Sequence, residues 1–500
     1  MTTIENTFKK PDNTYRNLTL FSGIILASLL TFYIWPTNYP LDDAYITQHS
    51  ARSLWDWHDS KYGTPALSGV TSPLHAALIF ASSLILPLWI AQVAIALFSF
   101  LLFNLACYEM GILAGLRSIQ AMLIAILAMA SGPIIFQFSN GLETGLAITA
   151  LSWTLIAFSK REPSPYWYSL LWALPFIRPE LIIVSIFFTL QSIYHKKDNI
   201  GALCKPFIFS LLIALPVFLL TWANTGNYFP ATINAKKIFF NEACQPFQAK
   251  IKLESLGVFA FLKTIGIFAF GVCGVLLLKQ RIVFLFFTAS LLTSFLLNLP
   301  GGVWHNGFRY LFILTPFLVL GIAAIFKKLP LSTKTSTVLL LLSVIVCSTS
   351  IPNSYKGYSA GVEQVHDLSE IASWLEKRTD EGDTILVHDA GYISLFGNYR
   401  LVDIVGLKTP SSIEIHQRLT TPICNMRNAL AIDEIARRPP PQYVIVSEDW
   451  DRIFGISRSL EMTNWKLSTV NDVAGLKYKL FKVNNSQATP WQDKDQPNFN

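Results

Sequence analysis

Charge is what this chain has least of. Only 14% of its 500 residues are Asp, Glu, Lys or Arg, while 52% are hydrophobic. That is too little charge for the surface of a soluble protein, and the mean hydropathy of +0.42 agrees. Cysteine is also scarce: the six residues contain no CxxC pair, which argues against a zinc or thiol redox centre. There is no Gly-rich nucleotide loop, no HExxH pair and no nucleophile elbow, so a soluble nucleotide ligand has no evident site. The net charge of +7 does not mark a nucleic-acid partner, because the Lys and Arg residues cluster between apolar runs instead of forming a stripe.

What the chain does have is long apolar runs, recurring as far as residue 350. The spacing predicts a first span at 17–36, then spans near 88–108, 118–137, 142–159, 164–178, 179–194, 205–223, 258–278, 282–299, 308–326 and 333–351. That makes about eleven transmembrane helices. The polar N-terminus precedes an apolar segment too long for a signal-peptide core, so the first helix is read as uncleaved. Lys9, Lys10, Arg16, Arg117, Lys160, Arg161, Lys196, Lys197, Lys205, Lys279, Arg281, Lys327, Lys328 and Lys334 all fall on one side in this arrangement. The positive-inside rule makes that side the cytoplasm, with the N-terminus in it. The halves of 164–194 are each short, and "FIRPEL" between them reads as the outer tip of a hairpin carrying Arg178 and Glu180.

The domain division is therefore a membrane module over 1–352, an extracytoplasmic α/β domain over 353–485 and a disordered tail over 486–500. Within the terminal part, "TILVHDAG", "YRLVDIVGL", "QYVIVSED" and "GLKYKLFKVN" read as strands, with helical stretches near 411–419 and 425–438. Asp389 and Asp403 stand at strand ends, where ligand sites often form; turn formation is the plainer reading.

The first outer loop, 37–87, is the stretch around which the chain is organised. It opens with adjacent carboxylates, Asp42 and Asp43, next to a span end where unpaired charge is costly. They read as catalytic groups, with a solvated loop or a structural ion pair as the alternatives. Residues 44–58 predict an amphipathic helix with Tyr45, Ala51, Leu54 and Trp55 near one face, and 74–86 a second interfacial helix. Other outer segments carry polar groups that topology does not require. "SNGLETG" offers Glu143, which is equally well a helix cap. Arg178 and Glu180 are a mutual ion pair or a substrate contact. "NYFPATINAKK" puts Lys236 and Lys237 outside, and "GGVWHNGFRY" adds His305 and Arg309. Several cations converging opposite an acid pair suit an anionic lipid substrate better than they suit snorkelling to lipid phosphates.

"LDDAYIT", "TSPL", "GLETGL", "RPE", "NYFPATINAKK", "HNGFRYLFILTPFL" and "HDAGYISLFGNYRLVDIVGLKTP" occur in that order over residues 41–410. In this they resemble bacterial GT-C glycosyltransferases, particularly those similar to the mycobacterial terminal arabinofuranosyltransferases. Leu181 stands where a Gly usually follows RPE. The resemblance implies a polyprenyl-phosphate-linked sugar as donor. It also implies transfer outside the bacterial cytoplasmic (inner) membrane with inversion, to a surface glycan, lipopolysaccharide or protein. Such a donor leaves as a phosphate of low basicity. The needs are then a base for the incoming hydroxyl and positive charge for the phosphate. By resemblance Asp42 is favoured as base, with Arg309, Lys236 and His305 toward the phosphate. Two adjacent Asp residues leave room for a divalent cation but are far short of a coordination set. The rival class is a transporter or flippase of lipid-linked sugars, which should show internal repeats; none is evident. Cys244 and Cys424 both fall outside the cytoplasm in this topology, where a bridge would clamp the terminal domain over the active loop and two free thiols are the alternative.

Overall fold

The computed structural model describes residues 13–34, 38–159, 163–195, 201, 204–228, 230, 232–423, 428–473 and 477–484. Lys9, Lys10, Lys160, Arg161, Lys196, Lys197, Cys424 and the tail 486–500, all named above, lie outside the described residues.

Apolar composition and uninterrupted helical runs make this a polytopic helical membrane protein. Among the described residues, five helices are long and apolar enough to cross a membrane: Leu88–Leu113, Cys204–Thr225, Phe247–Leu276, Arg281–Asn298 and Thr333–Glu376. Two bent pairs raise the number to seven if each is one span. Ser118–Met129 with Gly132–Ser139 bends by 65°, and Pro300–Phe312 with Thr315–Lys328 by 54°. The expected spans 142–159 and 164–178 become helices of 15 and 11 residues, Thr144–Phe158 and Trp167–Ile177. Each is shorter than a full crossing. The polar turn before Thr144 and the Arg178–Pro179 step shorten them. The chain reverses there through a 3₁₀ turn, Pro179–Leu181, into Ile182–His195.

Lipid-facing and protein-facing helices differ in what they expose. Cys204–Thr225 presents Phe207, Ile208, Leu212, Leu215 and Leu219 outward, whereas Thr144–Phe158 is buried almost throughout. With no hydrophobic drive between helices in lipid, close approach and interhelical hydrogen bonds hold them together. Gly274 and Gly321 allow such an approach: a Cβ on Gly274 would stand 1.9 Å from the Gly321 carbonyl oxygen. Buried Asn104 donates to the Thr19 carbonyl at 2.6 Å, tying the helix Asn13–Ile34 to Leu88–Leu113.

The outer loop begins with a helix, Asp42–Ser53, shorter than the 44–58 expected. A two-residue hairpin of β1 (His58–Asp59) and β2 (Thr64–Pro65) ends it. Tyr45, Ala51 and Leu54 are buried as expected, but Trp55 is 61% exposed. The next helix is Pro73–Ser83.

After the helix Ile351–Glu376 comes a mixed five-stranded sheet. Its strands are β3 (Thr384–Val387), β4 (Arg400–Asp403), β5 (Tyr443–Ser447), β6 (Leu467–Thr469) and β7 (Tyr478–Val483), in the order β4-β3-β5-β7-β6. β3 pairs in parallel with β4 and β5, while β7 runs antiparallel to β5 and β6. β3 and β5 are buried at every position, the mark of a strand covered on both faces. Because β4 and β5 flank β3 on opposite sides, the carboxyl ends of β3 and β5 form a switch point, the usual place for a ligand crevice.

That edge is docked on the outer loop by polar bonds. Tyr62 donates to the Ala390 carbonyl at 2.8 Å, and the Leu401 amide to the Lys61 carbonyl at 2.8 Å. Lys61 Nζ reaches the Phe396 and Gly397 carbonyls. Fully buried Lys408 pairs with fully buried Asp59 at 2.9 Å and also donates to Ser50 Oγ and the Ser68 carbonyl. His49 holds the other Asp59 oxygen at 3.0 Å. Burial opposes ionisation of Asp59, but His49 and Lys408 together hold its carboxyl well below the usual range.

Candidate active site

Asp42 and Asp43 open the same helix, yet their side chains serve different neighbours. Successive helical side chains diverge by about 100°, so one carboxylate faces the terminal domain while the other faces the membrane module. Asp42 accepts the backbone N–H groups of Gly391 and Tyr392, one on each oxygen, both at 2.7 Å. Gly391 is required for this approach, since a Cβ there would lie 2.1 Å from the Asp42 carbonyl oxygen. Each carboxylate oxygen keeps a second lone pair for another donor. Burial, and then the Asp389 carboxylate, push the Asp42 carboxyl well above the usual carboxylate range against those two bonds.

Asp43 sits among cations. Its Oδ2 lies 3.3 Å from Arg309, 3.4 Å from His305 and 3.6 Å from Lys236, and accepts from Asn306 at 2.8 Å. Burial opposes its ionisation too, but Lys236 and Arg309 hold it well below the usual range. Lys236 Nζ is 2.8 Å from His305 Nε2. An ammonium can only donate, so that nitrogen carries a lone pair and His305 is neutral. Asn306 reaches Asp43 from a left-handed turn in which Asn306, Gly307 and Phe308 have φ of 48°, 67° and 63°. Such a conformation costs a non-glycine residue about 1 kcal/mol or more, and strain of this kind concentrates at functional sites.

A cavity of about 270 Å³ joins the two environments. Asp42, Asp43, Lys236, His305 and Asn306 line one part, and His388, Asp389, Trp450 and Tyr478 of the terminal domain line the other. Asp389 bonds the Tyr478 hydroxyl and lies 3.2 Å from His388 Nε2. These partners hold its carboxyl below the usual range despite burial. Beside Asp43, a smaller polar hollow is lined by Thr71, Ser72, Glu143, Thr232, Lys236 and Arg309. The Thr71 and Thr232 hydroxyls bond each other across it at 2.9 Å.

Arg178, Glu143 and Glu180 form a separate unit. Arg178 is fully buried, bonds Glu143 at 2.5 Å and Glu180 at 2.8 and 2.6 Å, and lies over the Tyr310 ring at 4.5 Å. Glu143 makes no cap bond to the helix it precedes, so the cap reading is corrected: its carboxylate is spent on Arg178. Arg178 and Glu180 are the mutual ion pair. Lys237 is not part of the cluster. It is exposed on the helix Thr232–Phe240, whose turn carries Lys236 inward and Lys237 outward. Asp403 does not reach the cavity; it accepts the amides of Val405 and Lys408 in a turn. Cys244 is disulfide-bonded, and Cys107, Cys204, Cys273 and Cys347 are free. Asn306, Thr71, Thr232, Tyr478 and Trp450 were missed as site residues. The first three lie inside quoted motifs, whereas Tyr478 and Trp450 carried no local signal.

The donor set does not suit a divalent cation. Among the described residues no three His, Cys, Asp or Glu side chains gather within reach of one ion. The free face of Asp43 is already neutralised by Lys236 and Arg309, which would repel a metal.

The chain shares its fold with ArnT from Cupriavidus metallidurans. The structure bound to undecaprenyl phosphate aligns with TM-score 0.52 and 9% identity over 95% of this chain and 99% of that one. The apo structure aligns with TM-score 0.52 and 11% identity over 96% and 99%. Both alignments show a shared fold over nearly the whole of each chain. A mycobacterial arabinofuranosyltransferase, AftD, aligns less well, with TM-score 0.46 and 16% identity over 95% of this chain and 42% of that one. A domain of unknown function, DUF8728, matches residues 356–490. No curated protein sequence matches the chain.

Proposed function

We propose that this protein is a membrane glycosyltransferase that moves a sugar from a polyprenyl-phosphate donor to an extracytoplasmic acceptor, with inversion. The observation that carries the reading is the cavity at the domain seam. It holds a carboxylate of raised basicity, Asp42, together with Lys236, and Lys236 is shared with the adjoining hollow that Arg309 lines. The ArnT fold, solved with undecaprenyl phosphate in that protein, supports a lipid-phosphate donor here.

In this reaction the acceptor hydroxyl gives its proton to Asp42 as its oxygen bonds the anomeric carbon. The carbon–oxygen bond to phosphate breaks, and its electron pair stays on the phosphate oxygen as polyprenyl phosphate. Lys236 and Arg309 neutralise the charge that develops there, with the Thr71 and Thr232 hydroxyls beside them, a use of fixed donors that needs no general acid. A single displacement inverts the centre. Asp43 holds the two cations together until the phosphate arrives, and His305 fixes the ammonium of Lys236. A base works best with a pKa close to the operating pH, which favours Asp42 over the strongly acidic Asp43.

The positive-inside bias supports an inner-membrane protein with a cytoplasmic N-terminus and a periplasmic terminal domain. The short helices Thr144–Phe158 and Trp167–Ile177 raise the seven to nine, and the helices Asn13–Ile34 and Ile182–His195 would bring the total to the eleven crossings read from the sequence. A flippase would use the lipid contact without a base. The test is release of polyprenyl phosphate from synthetic polyprenyl-phosphate sugars by the full chain in nanodiscs. We expect turnover by the wild type and a loss of roughly 10²–10⁴-fold in Asp42→Asn. Equal turnover by the two would remove Asp42 from the mechanism.

A further inference from the structure

The part of the cavity beyond Asp42 belongs to the terminal domain, and the transfer described above leaves its wall unused. It is built at the carboxyl ends of β3 and β5. His388 and Asp389 follow β3 directly, and Trp450 lies three residues beyond β5. Tyr478 opens β7 opposite Ser447, the last residue of β5. Gln364, on the helix Ile351–Glu376, completes the wall.

Two hollows share Asp43 and Lys236: the smaller is lined also by Arg309, and the larger also by Asp42 and the terminal-domain wall. In the proposed reaction the phosphate sits with Lys236 and Arg309, and the base is Asp42. An incoming hydroxyl must approach the anomeric carbon from the side opposite the phosphate. The polar groups that the donor leaves unused are those of the terminal-domain wall, so that wall receives the acceptor.

The chemistry of the wall selects the class of acceptor. It offers the Asp389 carboxylate and the Gln364 amide oxygen as hydrogen-bond acceptors, with a ring nitrogen of His388 as a further polar contact. His388 is 2% exposed, and its Nδ1 has no hydrogen-bond partner among the described residues. Its Nε2 is occupied, 3.2 Å from both Asp389 Oδ2 and Ser447 Oγ, so Nδ1 is the ring nitrogen open to a ligand. A ligand dense in hydroxyl donors matches this set. The indole of Trp450 supplies a broad apolar face beside it, held by Phe239, Phe454 and His388 at ring separations of 5.6, 4.9 and 4.6 Å. Alternating C–H faces and hydroxyl rims are the surface of a sugar ring. A peptide in extended form would instead add to a free sheet edge. The edges here are β4 and β6, and the cavity lies at neither. A purely apolar lipid would leave His388 Nδ1 desolvated and unpaired, at a cost of about 1–3 kcal/mol.

We infer that the terminal domain carries a saccharide subsite, lined by Gln364, His388, Asp389, Trp450 and Tyr478, and that the acceptor hydroxyl is a sugar hydroxyl. The inference rests on the transferase reading for the direction of attack. It makes the terminal domain one half of the active site: the membrane module binds the donor, and the sheet chooses what receives it.

Saturation-transfer NMR on the full chain in nanodiscs tests this without the donor. The probes are the methyl glycosides of glucose, galactose, mannose, rhamnose and arabinofuranose, with a Gly-Ser-Gly tripeptide as the competing class. We expect at least one glycoside to bind to the wild type and equally to Lys237→Ala, whose exposed side chain lies outside the cavity. Binding should weaken about tenfold or more in Asp389→Asn and in Tyr478→Phe, through loss of charge-assisted hydrogen bonds. Trp450→Ala should abolish it and Trp450→Phe should restore part of it. Tyr478→Phe and Asp389→Asn are nearly isosteric, so the result does not depend on the larger truncation folding. Binding of the tripeptide alone, of no glycoside, or of glycosides equally by the wild type and both near-isosteric variants would overturn the subsite. Donor cleavage is scored separately. Cleavage with no glycoside bound rejects the subsite and leaves the transferase. Glycoside binding that follows the variants, with no donor cleavage, rejects the transferase and leaves the subsite.

Discussion

Two charged clusters lie close together, both against the Tyr310 ring, and differ in whether they are finished. Around Arg178 every guanidinium nitrogen has a carboxylate at 2.5–2.8 Å, and the side chain is fully buried. Around Arg309 the contacts are loose: Asp43 at 3.3 Å, Tyr310 at 3.4 Å, and Nε with no hydrogen-bond partner among the described residues. Native proteins satisfy almost all buried polar groups, so an orphan donor beside a polar hollow needs an explanation. A tight cluster holds the helices in place. A loose one with an unspent donor is set for a ligand, and an anionic oxygen would complete it.

That contrast can be broken by experiment. Arg178→Ala should be the more damaging change to the protein itself. It leaves two carboxylates unpaired in a buried site and costs about 3–5 kcal/mol, read as a lower melting temperature and poor membrane expression. Survival of Arg178→Ala with normal stability would erase the distinction. Arg309→Ala and Lys236→Ala should instead keep stability within experimental scatter and reduce donor turnover by on the order of 10²-fold each. Lys327→Ala, at the far end of the helix Thr315–Lys328, should leave both unchanged. Thermal unfolding and donor cleavage measured on the same preparations would show whether the losses separate in this way.

The smallest effect concerns pH. In the proposed reaction Asp42 works as a carboxylate, and its pKa is raised first by burial and then by Asp389. Activity should therefore fall on the acidic side above the range of an ordinary Asp. Removing the neighbouring negative charge favours the ionised form of Asp42, so in Asp389→Asn the acidic limb of kcat/KM should move to lower pH. A shift to higher pH, or none, would mean that the two carboxylates are not coupled across the seam.

Which of these residues were legible in the chain depends on how local their signals are. Asp42, Asp43, Lys236, His305 and Arg309 stand out because charge at a span end is costly and therefore conspicuous. The strands β3, β4, β5 and β7 were legible as short β-branched runs between turn residues, and β6 was not, being three residues with little apolar content. Lys236 and Lys237 are equivalent in composition; only the 100° step of a helix, once its axis is placed, sends one inward. Glu143 looks like a cap from its position, and only the return of the chain at Arg178 supplies the partner that claims it. Tyr478 and Trp450 look like core aromatics on any local reading.

The sequence by itself determined that this is a membrane protein with a polar loop after its first apolar run, a terminal α/β part and a conspicuous acid pair. Those properties follow from hydropathy, periodicity and charge, which are summed over neighbours along the chain. Only the tertiary structure decided that Asp42 belongs to the terminal domain and Asp43 to the cations, and that Asp389, about 350 residues away, faces the same cavity. Contacts of that separation arise when the carboxyl edge of a sheet docks on a distant loop. No local pattern encodes them, because the free energy that selects them exists only once both surfaces are formed.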